Sequence, residues 1–69
     1  MVKHNMRTIH DVRKLLKRFG TWIYTGDAQG DLDLMEEELR ELYAEWNMIS
    51  AEEFRSAMLV LRREREQRQ

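Results

Sequence analysis

The sequence predicts an all-α fold, a compact three-helix bundle with helices at about residues 8–19, 28–46 and 51–66. Three observations carry this. Apolar residues recur at helical spacing in three separate stretches. Gly20 and the run Ser50-Ala51-Glu52-Glu53 punctuate those stretches as a helix end and a helix start. The one strand-like run, Thr21 to Thr25, has no second run with which to pair.

Helix 1 opens at Thr8, whose hydroxyl suits an N-cap, with Asp11 near the positive helix end. Ile9, Val12, Leu15, Leu16 and Phe19 form its apolar face, and Gly20 follows where a left-handed residue closes a helix. Thr21 to Asp27 reads as an ordered connection that lays Trp22, Ile23 or Tyr24 onto the helices. Helix 2 carries Leu32, Met35, Leu39, Leu42, Tyr43 and Trp46 on one stripe that Ala28 extends backwards, with Asp27 or Asp31 as its cap. Gly30 is unfavourable inside a helix by about 1 kcal/mol, so it marks the weak first turn. Asn47, Met48 and Ile49 form a short turn. Ser50 and Glu53 then make a capping box, with Ile49 and Phe54 placed as a hydrophobic staple. Phe54, Ala57, Met58 and Leu61 are the expected buried face of helix 3. Residues 1–7 read as a flexible arm, 8–66 as one domain and 67–69 as a frayed end.

Composition narrows the function. A chain of 69 residues holds one small domain, and such a domain buries only ~60% of the surface of its unfolded chain. There is no cysteine, hence no disulfide framework and no thiolate metal site. The longest apolar run, Ala57 to Leu61, is far short of a membrane span, and the N-terminus has no apolar signal stretch, so a cytoplasmic location without membrane contact is expected. His4 and His10 lack metal-ligand spacing, and Ser56 has no histidine near it. The helix 2 carboxylates stand on a solvated face. No cofactor and no enzymatic activity are expected.

The net charge of −1 conceals a segregation. Residues 1–19 carry a net +5, residues 27–46 a net −7 and residues 50–69 a net +1. One reading is structural, with helices 1 and 2 as neighbours whose charges attract. The sharper reading makes Arg13, Lys14, Lys17 and Arg18 a basic ridge away from the apolar face, joined from the arm by Lys3, His4 and Arg7. Phosphates fit such a ridge, and Trp22 and Tyr24 suit base stacking. An acidic helix 2 repels a long polyanion, so a short single strand fits better than a duplex. The expected function is therefore a small non-enzymatic protein that binds single-stranded nucleic acid. The alternative is a protein-interaction module that uses acidic helix 2 (Glu37, Glu41) or the Trp22–Tyr24 segment. Leu34 and Leu59 lie about 130° and 150° from the centres of their helical stripes, and with Trp22 or Ile23 they raise a homodimer.

Residues 27–38 also approach a calcium loop. Asp27, Gln29, Asp31, Asp33 and Glu38 fall on ligand positions and Leu34 on the apolar eighth. Leu32 stands where the sharp turn needs glycine, and it belongs to the helical stripe, so the motif is rejected.

Asp11-Val12 with Leu15-Leu16, the run Gly20-Thr21-Trp22-Ile23-Tyr24-Thr25-Gly26-Asp27, Asp31-Leu32 with Leu34-Met35-Glu36, and Glu41-Leu42-Tyr43 resemble the YqgQ-like family of small bacterial proteins. The resemblance covers about residues 8–65, and Ile23 to Asp27 is its most specific part. It implies a compact three-helix fold in a cytoplasmic protein and carries over no catalytic residue. A single-stranded nucleic-acid role has been considered for such proteins.

Overall fold

The structure is a computed structural model, and it describes residues 6–67. Three α-helices form, α1 (Ile9–Arg18), α2 (Ala28–Arg40) and α3 (Ala51–Gln67), with no strand among the described residues. The chain beyond α2 stays helical but widens into a π-helical turn over Glu41–Glu45.

Each helix starts and stops for a local chemical reason. Thr8 and Asp11 form a reciprocal capping box: the Asp11 amide donates to the Thr8 hydroxyl at 3.3 Å, and the Asp11 carboxylate accepts from the Thr8 amide at 3.1 Å. At the other end Gly20 takes φ +84°, open to glycine without Cβ strain. The amides of Gly20 and Thr21 then reach back to the carbonyls of Lys17 and Leu16, which satisfies two otherwise orphaned acceptors. The Ser50–Glu53 capping box at the start of α3 is also complete, at 2.9 and 3.0 Å. Asp27 precedes α2 without a side-chain cap bond. Its carboxylate lies over the first turn instead, where a Cβ on residue 30 would meet Asp27 Oδ2 at 2.8 Å. That atom is the tip of an exposed side chain that can turn aside, so Gly30 remains the weak point of the first turn, at a cost of about 1 kcal/mol.

The core is one cluster. Val12, Leu15 and Leu16 of α1 meet Leu32, Met35 and Leu39 of α2, then Leu42, Ile49 and Ala57, Val60, Leu61 of α3. Phe54 and Met58 are half-buried against it, while Val60, off the expected stripe, is fully enclosed. The staple residue Ile49 is 3% exposed. The largest departure from the expected pattern is Trp46. It was expected on the buried stripe of helix 2 and is instead 64% exposed, with Tyr43 at the surface stacked on Phe54 at 4.6 Å. The π turn is the cause: the Trp46 amide bonds the Glu41 carbonyl at 2.9 Å, five residues back, so each turn holds an extra residue and the side-chain phase drifts off the core.

Residues 1–5 of the expected arm, with Lys3 and His4, lie outside the described residues, as do 68 and 69. The end of that arm is anchored: the Met6 amide donates to Ser56 Oγ at 2.7 Å, and Arg63 donates to the Arg7 carbonyl at 3.4 Å.

Chain direction follows from side-chain contacts. Thr25 bonds Asp31 and Thr21 bonds Glu38, so the connecting segment runs antiparallel to α2. It also doubles back along α1, so α1 and α2 point the same way. Arg65, near the end of α3, pairs with Asp33 at 2.7 Å and Glu36 at 2.6 Å near the start of α2, which makes α3 antiparallel to α2.

Candidate nucleic-acid interface

The doubling-back of residues 21–25 builds the site. In extended backbone, side chains two residues apart share a face; in a helix, those four apart do. Trp22 and Tyr24 therefore face α1 at a repeat that matches Arg13 and Lys17. Lys17 Nζ lies 5.4 Å from the Trp22 ring centroid, and Arg13 Cζ lies 5.3 Å from that of Tyr24. These are two cation–π pairs in register, each worth about 0.5–1 kcal/mol at an exposed position. Both rings remain open to solvent, at 64% and 69% exposure. Ile23, between them, turns inward and packs against the core.

The four cations of the ridge divide. Lys14, Lys17 and Arg18 are exposed. Arg13 is half-buried: its guanidinium lies 3.6 Å from Asp31 Oδ2, and its Nε donates to the Ile23 carbonyl at 3.4 Å. Helix spacing explains this. Arg13 follows Val12 and precedes the Leu15–Leu16 pair, so it sits on the flank of the buried stripe rather than opposite it.

Asp31 is the residue that sequence reasoning undervalued. It is 3% exposed, a charged side chain inside the domain. Its carboxylate accepts from the Thr25 hydroxyl at 2.6 Å and from the Thr25 amide at 3.0 and 3.2 Å, and it faces Arg13. The Thr25 hydroxyl bond first, then the Thr25 amide, the Arg13 charge and the Gly26 amide, hold the Asp31 carboxyl below its ordinary value, against the burial that pushes it up. This latch fixes both the loop and Arg13. The signal for it was the proximity of Thr25-Gly26-Asp27 to a second aspartate four residues later.

The other acidic residues of helix 2 do not surround the basic ridge. Asp33 and Glu36 turn to Arg65, Glu36 also holds Arg40 at 2.6 Å, and Glu38 accepts from the Thr21 hydroxyl at 3.1 Å. Asp27, Glu37, Glu41 and Glu45 are exposed. Because residues 28–38 wind as helix, the carboxylates of the near-calcium motif point in different directions. No group of three or more metal-ligating side chains gathers among the described residues. An open cleft of about 520 Å³ between α2 and α3 is lined by Glu36, Arg55, Met58, Leu59, Arg62 and Arg65. No helix among the described residues is long and apolar enough to cross a membrane.

The sequence profile of the YqgQ-like family matches residues 6–67, which contain all of these elements. The chain belongs to the YqgQ-like family. It is 45% identical over 62 residues to a Bacillus subtilis (strain 168) protein named "Uncharacterized protein YqgQ", a match that covers 90% of this chain and 86% of the relative. No solved structure matches. In this YqgQ-like chain the run Ile23 to Asp27 that carried the resemblance is the segment that seats Ile23 in the core, Tyr24 over Arg13 and Thr25 on Asp31.

Proposed function

We propose that this YqgQ-like protein is a small, non-enzymatic, cytoplasmic binding protein for short single-stranded nucleic acid. One observation carries the reading: two exposed aromatic rings stand side by side, each with a cation against it. Two successive bases of an unstacked strand stack on Trp22 and Tyr24, and Lys14, Lys17 and Arg18 take the flanking phosphates. Base–aromatic stacking contributes about 1–3 kcal/mol per base and tolerates any sequence. Arg13 has a positioning role, because Asp31 and Ile23 hold it under the Tyr24 ring.

Fluorescence anisotropy with short labelled oligonucleotides at two salt concentrations tests the proposal. Binding that weakens with salt and is lost in Trp22→Ala supports it. Binding that is absent at low salt, or indifferent to Trp22 and Lys17, removes it. A second reading, a protein-interaction module on acidic helix 2, draws on Glu37 and Glu41, which are exposed on one face. It predicts no oligonucleotide binding and a partner whose capture depends on Glu37.

A further inference from the structure

We propose that the corner joining α2 to α3 is a second docking surface, for a basic, apolar-anchored segment of a partner protein. This rests on observations separate from the nucleic-acid reading. Three large apolar side chains are exposed there within six residues of one another: Trp46 at 64%, Met48 at 57% and Tyr43 at 37%. Single exposed apolar residues are ordinary at a surface, whereas three so close together in the chain favour contact with another molecule.

The backbone holds these side chains outward. A regular α-helix would return Trp46 to the face of Met35, Leu39 and Leu42. The π turn over Glu41–Glu45 moves it off that face, and Asn47 then takes φ +53°, a left-handed conformation uncommon outside glycine. The Met48 amide closes the corner on the Leu42 carbonyl at 2.7 Å. The π turn is the irregular element, of a kind frequent at functional sites, and Asn47 closes it with an ordinary left-handed helix cap.

Charge selects the occupant. Residues 41–54 contain Glu41, Glu45, Glu52 and Glu53 and no lysine, arginine or histidine. Glu41, Glu45 and Glu52 are exposed around the apolar group. A polyanion or an anionic membrane is repelled here. An arginine or lysine finds carboxylates and the Trp46 ring face together, the combination that favours a cation once water is displaced. An aliphatic side chain beside it covers Met48 and Tyr43.

Trp22→Phe leaves Trp46 as the one tryptophan, since the chain has two. In this background Trp46 emission is followed while a short amphipathic peptide of arginine and leucine is added, then its glutamate–leucine counterpart. The expected result is a blue shift with the arginine peptide alone, weakened about tenfold when Glu41→Lys and Glu45→Lys are combined. Met48→Ser, at an exposed site, removes apolar surface without changing charge and weakens it as well, with an unchanged helical spectrum. No shift, equal shifts with both peptides, or indifference to the charge reversals overturns the proposal. A shift with protein concentration alone, with doubled mass by light scattering, also overturns it and makes a second copy the occupant.

Discussion

At the scale of single residues, Asp31 does more than any surface charge in the chain. A buried carboxylate is tolerated only when its oxygens are satisfied, and Thr25 and Arg13 satisfy them here. Because its folded pKa is depressed, the contribution it makes is fully present above the unfolded carboxyl range and is lost as pH falls through the folded value. Asp11 acts in the same direction, held low by the amides of Arg7 and Thr8. Thermal melts should therefore hold steady from neutral pH down to about pH 5 and fall below about pH 4. Asp31→Asn should lower the melting temperature at neutral pH and flatten the acid limb. An acid limb unchanged in Asp31→Asn would show that other carboxylates govern it. Thr25→Val removes the 2.6 Å hydroxyl bond and should lower the melting temperature by about 5 °C or more at neutral pH.

Helices were legible in the sequence where their causes are local. Thr8, Gly20 and the Ser50–Glu53 box set termini through neighbours within a few residues, and all three lie where periodicity and capping chemistry put them. The aromatic pair was legible as residue types, but not its register with Lys17 and Arg13, which depends on a segment folding back across α1. Arg13 itself looked like a ridge residue because its partner Asp31 belongs to another helix. Trp46 was illegible for a different reason: one extra residue in a turn leaves no mark in the apolar spacing, yet it moves everything after it to another face. The corner yields a sharp element-level prediction. Asn47→Ala should destabilise by about 1–2 kcal/mol, since an alanine at positive φ brings its Cβ against the following carbonyl, whereas Asn47→Gly should be nearly neutral. Chemical denaturation of the two variants separates these outcomes. Ser50→Ala, which removes the α3 cap but leaves the π turn and Asn47 in place, should cost about 1 kcal/mol and leave Trp46 emission unchanged.

At the scale of the whole molecule, size and charge act together. The Cα radius of gyration is 11.3 Å, close to the ~11 Å of a compact monomer of this length. Leu34 and Leu59, the two leucines that raised a homodimer, are both exposed, and Leu59 borders the α2–α3 cleft. Asp31 is paired with Arg13, and Asp33 and Glu36 turn to Arg65, so Lys14, Lys17 and Arg18 are the cations left to meet phosphates, with Asp11 and Glu38 as the carboxylates beside them. Counterion release makes this countable: a single strand contacted by three cations gives a slope of about −2 in log K against log salt. Lys14→Glu combined with Arg18→Glu should abolish measurable binding at moderate salt while the melting temperature holds. Arg13→Ala should do the reverse: it should lower the melting temperature by loosening Asp31 and Tyr24, yet leave the salt slope near −2, because its charge is already spent within the fold. If Arg13→Ala cuts the slope by about as much as Lys14→Ala does, Arg13 swings out to the phosphates on binding, and the division of the ridge into one positioning cation and three binding cations is wrong.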